Sequence, residues 1–268
     1  MTEPLVRCSV GGGAATVVLD SPHNRNALSN RLVAELHQGL ADAAEDPEVR
    51  AVVLTHTGGT FCAGADLSDA GQSTTEECSR AMAELLRAIV ELPKPVLGRV
   101  DGHVRAGGMG LVGACDVVAA GKRSTFSLTE ARLGLAPSII SLTVLPRLTS
   151  RAASRYFLTG ETFGPAQAER LGLITEAAEA PDAAVGAVLA QVRECSPQGL
   201  AESKRLTTAE VLAGFDESAE LLASRSASLF ETPEAMEGMT AFLEKRAPPG
   251  RSDRAVVIDV ITWARSST

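Results

Sequence analysis

Arg50–Leu67 reads RAVVLTHTGGTFCAGADL. After Arg50, the residues Ala51–Thr55 are apolar or β-branched without alternation, the pattern of a strand buried on both faces. Gly58 and Gly59 then open a loop that runs on through FCAGADL. The same rhythm recurs on both sides. Upstream, Ala14–Leu19 (AATVVL) reads as a strand stopped by Asp20, Ser21 and Pro22. From Ser29 to Ala44, Leu32, Val33, Leu36, Leu40 and Ala43 recur at helical spacing, with Ser29 as N-cap. Downstream, Glu76–Leu92 reads as a helix closed by Pro93, and Pro95–Val100 (PVLGRV) as a third strand. Strand alternating with helix predicts an α/β fold built on right-handed parallel units. After a short strand at Asp116–Ala120 the pattern turns helical: 137–148, 151–158, 165–171, 183–194, 197–212, 218–230 and 233–245. Several of these segments open with Pro, whose missing N–H costs nothing in a first turn.

The 268 residues are 45% hydrophobic and 22% charged, enough for a sizeable core. Only 3% are aromatic and the formal charge is −8, which argues against nucleic acid as a partner. No apolar run nears the ~20 residues that span a bilayer, and Met-Thr-Glu-Pro-Leu does not open a secretory signal. Five scattered cysteines without a C-x-x-C, and four isolated histidines, predict reduced thiols, a cytoplasmic setting and no metal site.

Two loops lie where ligands bind in an open parallel sheet, outside the carboxyl ends of strands. One is Thr60–Leu67. The other is Asp101–Gly110, DGHVRAGGMG, which leads into the apolar stretch Met109–Ala114. Small residues let backbone N–H groups approach a ligand, and a helix N-terminus adds free N–H groups and positive potential. Taken singly, each loop is also compatible with a plain tight connection. The glycine run is not G-x-G-x-x-G, so a dinucleotide fold is a poor reading.

FCAGADL, DGHVRAGGMGLVGACD and FSLTEARLGLAP together resemble the enoyl-CoA hydratase/isomerase (crotonase) family, as do SPHNRNALS, LTGETFGPAQAERLGLI and EGMTAFLEKR. The resemblance runs in order from about residue 5 to about residue 250. It implies a crotonase-like spiral of ββα repeats at 1–195 and a helical trimerisation region at 196–250; the tail 251–268 lies beyond it. It implies an acyl-CoA thioester as partner, a homotrimer or dimer of trimers, and no cofactor, coenzyme A being part of the substrate. It further implies that the thioester oxygen is held by the N–H groups of Ala65 and Gly107, which agrees with the placement of both loops.

The typical hydratase of the family carries two glutamates. In this chain the first position is Gly110, and the second is Glu130 in TEARLGLAP. Water addition through one glutamate and 3-enoyl to 2-enoyl isomerisation both remain open, as does acyl-CoA binding with little catalysis. The TEARLGLAP segment is similar to that of one-glutamate hydratases of the family and favours water addition. A second departure is Pro137-Ser138-Ile139-Ile140-Ser141 in place of a glycine-rich stretch; Ser138 would supply the water-holding N–H, and the isoleucines would line the pocket. For coenzyme A the resemblance points to Arg25, to the wall Ala63–Leu67 including Asp66 and Leu67, to Gly107 and Gly108, and to Phe242 and Lys245 from a neighbouring subunit. Cys62 and Cys115 read as small core residues, Asp66 and Asp116 as structural ones, and His103 and Arg105 as non-catalytic neighbours of the turn.

Overall fold

The computed structural model describes residues 3–66 and 74–247. The tail at 251–268, and Leu67 among the site residues, lie outside the described residues. The chain opens with a hairpin, β1 (Val6–Gly11) antiparallel to β2 (Ala14–Leu19). Gly12 and Gly13, at φ 56° and 77°, form its two-residue turn, where both positions need positive φ. β1 leaves five of its six side chains exposed or nearly so, which is why no buried-strand pattern marks it.

From β3 onward each turn of the spiral lays one strand in each of two sheets and then a helix or helical turn. β3 (Ala51–His56) is followed by β4 (Thr60–Cys62) and helix α2 (Thr75–Glu91). β5 (Val96–Val100) is followed by β6 (His103–Arg105) and α3 (Gly107–Ala114). β7 (Val117–Ala120) is followed by β8 (Thr125–Ser127) and a 3-10 turn, Glu130–Leu133. A larger sheet runs in the order β1-β2-β3-β5-β7-β9, with β9 at Glu176–Ala177, and a smaller, wholly parallel one β4-β6-β8. This is the ββα spiral that the resemblance implies.

Helix α1 (Asn30–Glu45) starts as its sequence predicts: Ser29 Oγ accepts the Leu32 N–H at 3.2 Å. Leu32, Leu36 and Leu40 then bury their whole side chains beneath the larger sheet's cluster. α2 begins with a reciprocal capping box between Thr74 and Glu77. The helices that follow are α4 (Ser141–Val144), α5 (Ser150–Thr159), α6 (Pro165–Leu171), α7 (Pro181–Arg193), α8 (Pro197–Phe230) and α9 (Pro233–Leu243).

Two helical expectations are corrected. The segment 137–148 is not one helix: after α4 the chain tightens to a 3-10 turn, Leu145–Arg147, because Pro146 lacks the N–H a helix interior requires. The segments 197–212 and 218–230 are one helix of 34 residues. Gly214 costs about 1 kcal/mol there, but Phe215 beside it is buried against the core and holds the helix together.

α8 is anchored to the frame by a buried ion pair. Lys204 Nζ lies 2.7 Å from Asp116 Oδ2 and also donates to the carbonyls of Ile89 (2.8 Å) and Lys94 (3.2 Å). The same Asp116 oxygen accepts the Val96 N–H at 2.7 Å. Burial pushes the Lys204 amine below its ordinary range, yet each charge is partnered.

Candidate active site

The first site loop leaves β4 at Cys62 and is sewn to the segment before α1. Ala63 N–H donates to Arg25 O (3.1 Å), Leu28 N–H to Gly64 O (2.8 Å), and Asp66 N–H to Leu28 O (3.2 Å). Leu28 thus spends its own amide and carbonyl on residues 64 and 66. In such a parallel bridge the amide of Ala65 faces away from Leu28. It meets no acceptor among the described residues, and Ala65 is exposed.

Asn26 holds that segment in place. Its Oδ1 accepts the Ser21 N–H at 2.7 Å, and its Nδ2 donates to Thr57 O (3.1 Å) and Thr60 O (2.8 Å). It is fully buried and sits at φ 53°, a conformation Asn tolerates better than most residues. Asn26 and Leu28 were not singled out from the sequence. The available signal was a buried-type Asn beside a turn, in SPHNRNALS.

The second loop crosses from β6 into α3 through Ala106, a non-glycine residue at φ 45°, ψ −117°. A backbone held there costs about 1–3 kcal/mol. It is held by Ala106 N–H donating to Ser127 O (3.2 Å) and by Ala106 O accepting the Met109 N–H (2.8 Å). The amides of Gly107 and Gly108 follow, with no acceptor among the described residues. They open a helix that is buried from Gly108 to Ala114, where its positive end is poorly screened.

The two loops touch, and only small residues fit. A Cβ on Gly64, which sits at φ 93°, would lie 2.8 Å from Ala106 Cβ and 3.5 Å from the Gly107 nitrogen. A Cβ on Gly108 would lie 2.8 Å from Cys62 Cβ. The structure therefore brings together the loops of Ala65 and Gly107, as the sequence predicts from their places after parallel strands.

Glu130 opens the 3-10 turn that follows β8. Its Oε2 is cut off from solvent and has no hydrogen-bond partner among the described residues. Burial pushes the carboxyl up to about 7 from the ordinary 4.5, partly offset by its own backbone N–H. The turn is pinned from outside by α9: a Cβ on Gly238 would sit 2.5 Å from Leu133 O, and one on Gly134 3.0 Å from the Ala235 nitrogen.

At Gly110 there is no room for a carboxylate. A Cβ there would meet Ile140 Cγ2 at 2.6 Å, Ile140 Cβ at 3.0 Å and Leu86 Cδ1 at 3.2 Å. One expectation in this region is corrected. The Ser138 N–H is already given to Ala136 O at 2.7 Å, so it is not free to hold water. The amides of Ile139 and Ile140, just before α4, meet no acceptor among the described residues.

The remaining candidates fall as follows. Arg25 is exposed at φ 60°, and its guanidinium makes no bond to any described residue. Asp66 accepts from Asn24 Nδ2 at 3.0 Å. Phe242 is 54% exposed near the end of α9, and Lys245 follows at φ 56°. Arg105 donates to Val104 O, Thr125 O and Thr125 Oγ1, and His103 Nδ1 pairs with Thr125 Oγ1 at 2.8 Å, so both brace the smaller sheet. Burial pushes the thiols of Cys62 and Cys115 up to about 12, which keeps them from acting as nucleophiles. A groove of about 880 Å³ runs beside Asp20–Asn24, lined also by Arg7 and Arg31. Its arginines are already paired, Arg7 with Asp20 at 2.5 Å and Arg31 with Glu35 at 2.7 Å, and neither Glu130 nor the free amides line it.

Comparison with known proteins agrees with this layout. The profile of the enoyl-CoA hydratase/isomerase family matches residues 10–252. A Thermus thermophilus protein provisionally named enoyl-CoA hydratase is 34% identical over 245 residues, covering 88% of this chain and 97% of its own. The mouse mitochondrial enoyl-CoA hydratase domain-containing protein 2 is 34% identical over 248 residues, covering 88% and 83%. Among solved structures, an enoyl-CoA hydratase from Mycobacterium avium superposes with a TM-score of 0.86 at 60% identity, covering 92% and 99%. A carnitinyl-CoA hydratase from the same organism gives 0.80 at 29%, covering 92% and 98%. The chain belongs to the enoyl-CoA hydratase/isomerase family and has the crotonase fold.

Proposed function

We propose that this chain adds water across the double bond of a 2-enoyl-CoA thioester, with Glu130 as its sole acid and base. The N–H groups of Ala65 and Gly107 hold the thioester oxygen while negative charge gathers on it. One such donor is worth roughly 2.7–4 kcal/mol to the transition state. Water adds its oxygen to C3, and the neutral carboxyl of Glu130 gives its proton to C2. The carboxylate so formed takes the proton lost by the water. The free amides of Ile139 and Ile140 are the donors we assign to that water.

The observation that carries this reading is the Glu130 carboxyl, whose Oε2 is shut off from solvent without a partner among the described residues, burial pushing the group up to about 7. Such a group holds both forms at neutral pH and suits proton transfer in either direction. The filled space at Gly110 supports a second reading: isomerisation of a 3-enoyl to a 2-enoyl thioester needs just one base, moving a proton from C2 to C4. Arg25, exposed and unpaired among the described residues, fits a phosphate of coenzyme A, and Ala63, Asp66, Leu67, Gly108, Phe242 and Lys245 complete the proposed contacts. The chemistry uses no cofactor beyond the coenzyme A of the substrate. A trimer or dimer of trimers would cover apolar side chains exposed on α8 and α9, such as Leu206, Leu221 and Leu243.

The test is to offer crotonyl-CoA, a longer 2-enoyl-CoA, 3-methylglutaconyl-CoA and a 3-enoyl-CoA, and to follow the absorbance of the conjugated thioester. Hydration without isomerisation supports the first reading, and conversion of the 3-enoyl thioester alone supports the second. Tight binding with no turnover of any of the four rules out both.

A further inference from the structure

The amides that serve the proposed reaction belong to two segments that touch. Gly107 opens α3, and Ile139 and Ile140 precede α4. The contact between the two helices is backbone on backbone: a Cβ on Gly113 would lie 2.7 Å from Thr143 O and 3.2 Å from the Val144 nitrogen. At such a distance a small shift of one helix is felt by the other.

One buried hydroxyl crosses this seam. Thr143 is 1% exposed, and its Oγ1 donates to Gly110 O at 3.0 Å. The same oxygen lies 3.3 Å from Ile140 O, so its single proton is offered to one carbonyl on each side of the seam. A helical threonine commonly bonds back to the carbonyl three or four residues earlier. Here that bond is the longer of the two, and the shorter one crosses to α3. Further along, Arg147 donates from Nε to Gly113 O at 3.0 Å and from Nη2 to Cys115 O at 3.2 Å. Arg147 thus ties down the carboxyl end of α3, and Thr143 is the link nearer to Gly107.

We propose that Thr143 is a positioning residue: its hydroxyl sets the spacing between the amide that holds the thioester oxygen and the amides that hold the attacking water. This rests on the water-addition reading above. The hydroxyl meets neither substrate nor water; it acts through Gly110 and Ile140. A methyl in its place would face Gly110 O at 3.0 Å, where carbon and oxygen settle about 3.3–3.6 Å apart. The seam must then open, and a misplacement of about 1 Å can cost roughly a hundredfold in rate.

Two reactions separate spacing from general damage. Water addition needs both sets of amides. Exchange of a C2 hydrogen of a saturated acyl-CoA with D2O needs the thioester-oxygen amides and Glu130 alone. The Glu130 carboxylate takes the C2 proton, the electron pair passes to the held thioester oxygen, the carboxyl trades its proton for a deuteron of solvent, and that deuteron returns to C2. The full chain and its variants Thr143→Val, Thr143→Ala and Thr143→Ser, each checked for folding by circular dichroism, would be assayed for hydration of crotonyl- and 2-octenoyl-CoA by absorbance, and for deuterium uptake into butyryl- and octanoyl-CoA by mass spectrometry.

Thr143→Val is expected to lower kcat for hydration by roughly tenfold to a hundredfold and to leave exchange within about twofold. Thr143→Ala stands in should the valine variant fail to fold, with the same direction expected. Thr143→Ser keeps the hydroxyl and is expected to hydrate within about threefold of the wild type. Unchanged hydration in the folded valine or alanine variant overturns the proposal. So does an equal fall in hydration and exchange, or a loss in Thr143→Ser as large as in Thr143→Val. Those outcomes leave the water-addition reading in place, whereas a wild type that exchanges without hydrating, or does neither, removes that reading and this proposal together.

Discussion

Asp116 in the frame and Glu130 at the site have opposite surroundings. Asp116, at the mouth of β7 in the larger sheet, is gripped by the Lys204 amine and the Val96 N–H. Glu130, just beyond β8 in the smaller sheet, leaves Oε2 without a hydrogen-bond partner among the described residues. The frame satisfies its buried charge, and the site withholds a partner from its own. A buried charge that is fully partnered fixes structure, whereas a buried carboxyl left without a partner is held ready to exchange a proton.

Glu130→Gln gives the largest expected effect. It is expected to lower kcat by about 10²–10⁴-fold, the span of a lost general acid–base. A variant that stays within threefold of the wild-type rate would remove Glu130 from the chemistry. Asp116→Ala is expected to leave that rate almost unchanged per folded molecule but to destabilise the chain by about 3–5 kcal/mol, since it strands the Lys204 charge. Urea unfolding measures this, and a loss below 1 kcal/mol would mean that the pair is not the anchor of α8.

A smaller effect is expected at Gly110. A single methyl there must displace Ile140, so Gly110→Ala is expected to cost about 1–3 kcal/mol. Adding Ile140→Val should return part of that cost. If the double variant is simply the sum of the two single ones, the contact is not the cause.

The gentlest test concerns pH and stability. The folded-state midpoint of Glu130 is raised, from 4.5 to about 7, so the native chain binds the extra proton between those values. Its stabilising neutral form is fully present below pH 4.5, and stability from this group falls as pH rises through 7. Glutamine cannot ionise. Glu130→Gln is therefore expected to be more stable than the wild type at pH 8 by about 1–3 kcal/mol, with the gap closing below pH 5. A gap that is constant with pH would show that the carboxyl is not held neutral by burial.

The inner strands of the larger sheet, β2, β3, β5 and β7, and the helices beside them could be read from sequence, whereas the exposed β1 and the two-residue β9 could not. AATVVL, AVVLTH and the Leu32–Leu36–Leu40 spacing each report several residues facing one way. The smaller sheet could not be read that way. β4, β6 and β8 are three residues each, too short for an alternation to register, and β4 and β6 look like connection inside the two glycine-rich loops. α8 reads as two helices because Gly214 interrupts the pattern, while the buried Phe215 that keeps it whole is a tertiary fact. At the site, the loops of Ala65 and Gly107 were legible from their places after parallel strands, and Glu130 from the family motif. The Ser138 amide bonded to Ala136, and Ile140 filling the space at Gly110, depend on how α4 turns, which no local spacing encodes.

In the proposed reaction two backbone amides from separate turns polarise one thioester carbonyl. Difference infrared spectroscopy of a bound acyl-CoA carrying ¹³C at its thioester carbonyl tests it most directly. The stretch should fall well below its frequency in water and fall in Glu130→Gln as well, since the donors are main-chain groups. A carbonyl that binds at saturation with its solution frequency unchanged would contradict the claim.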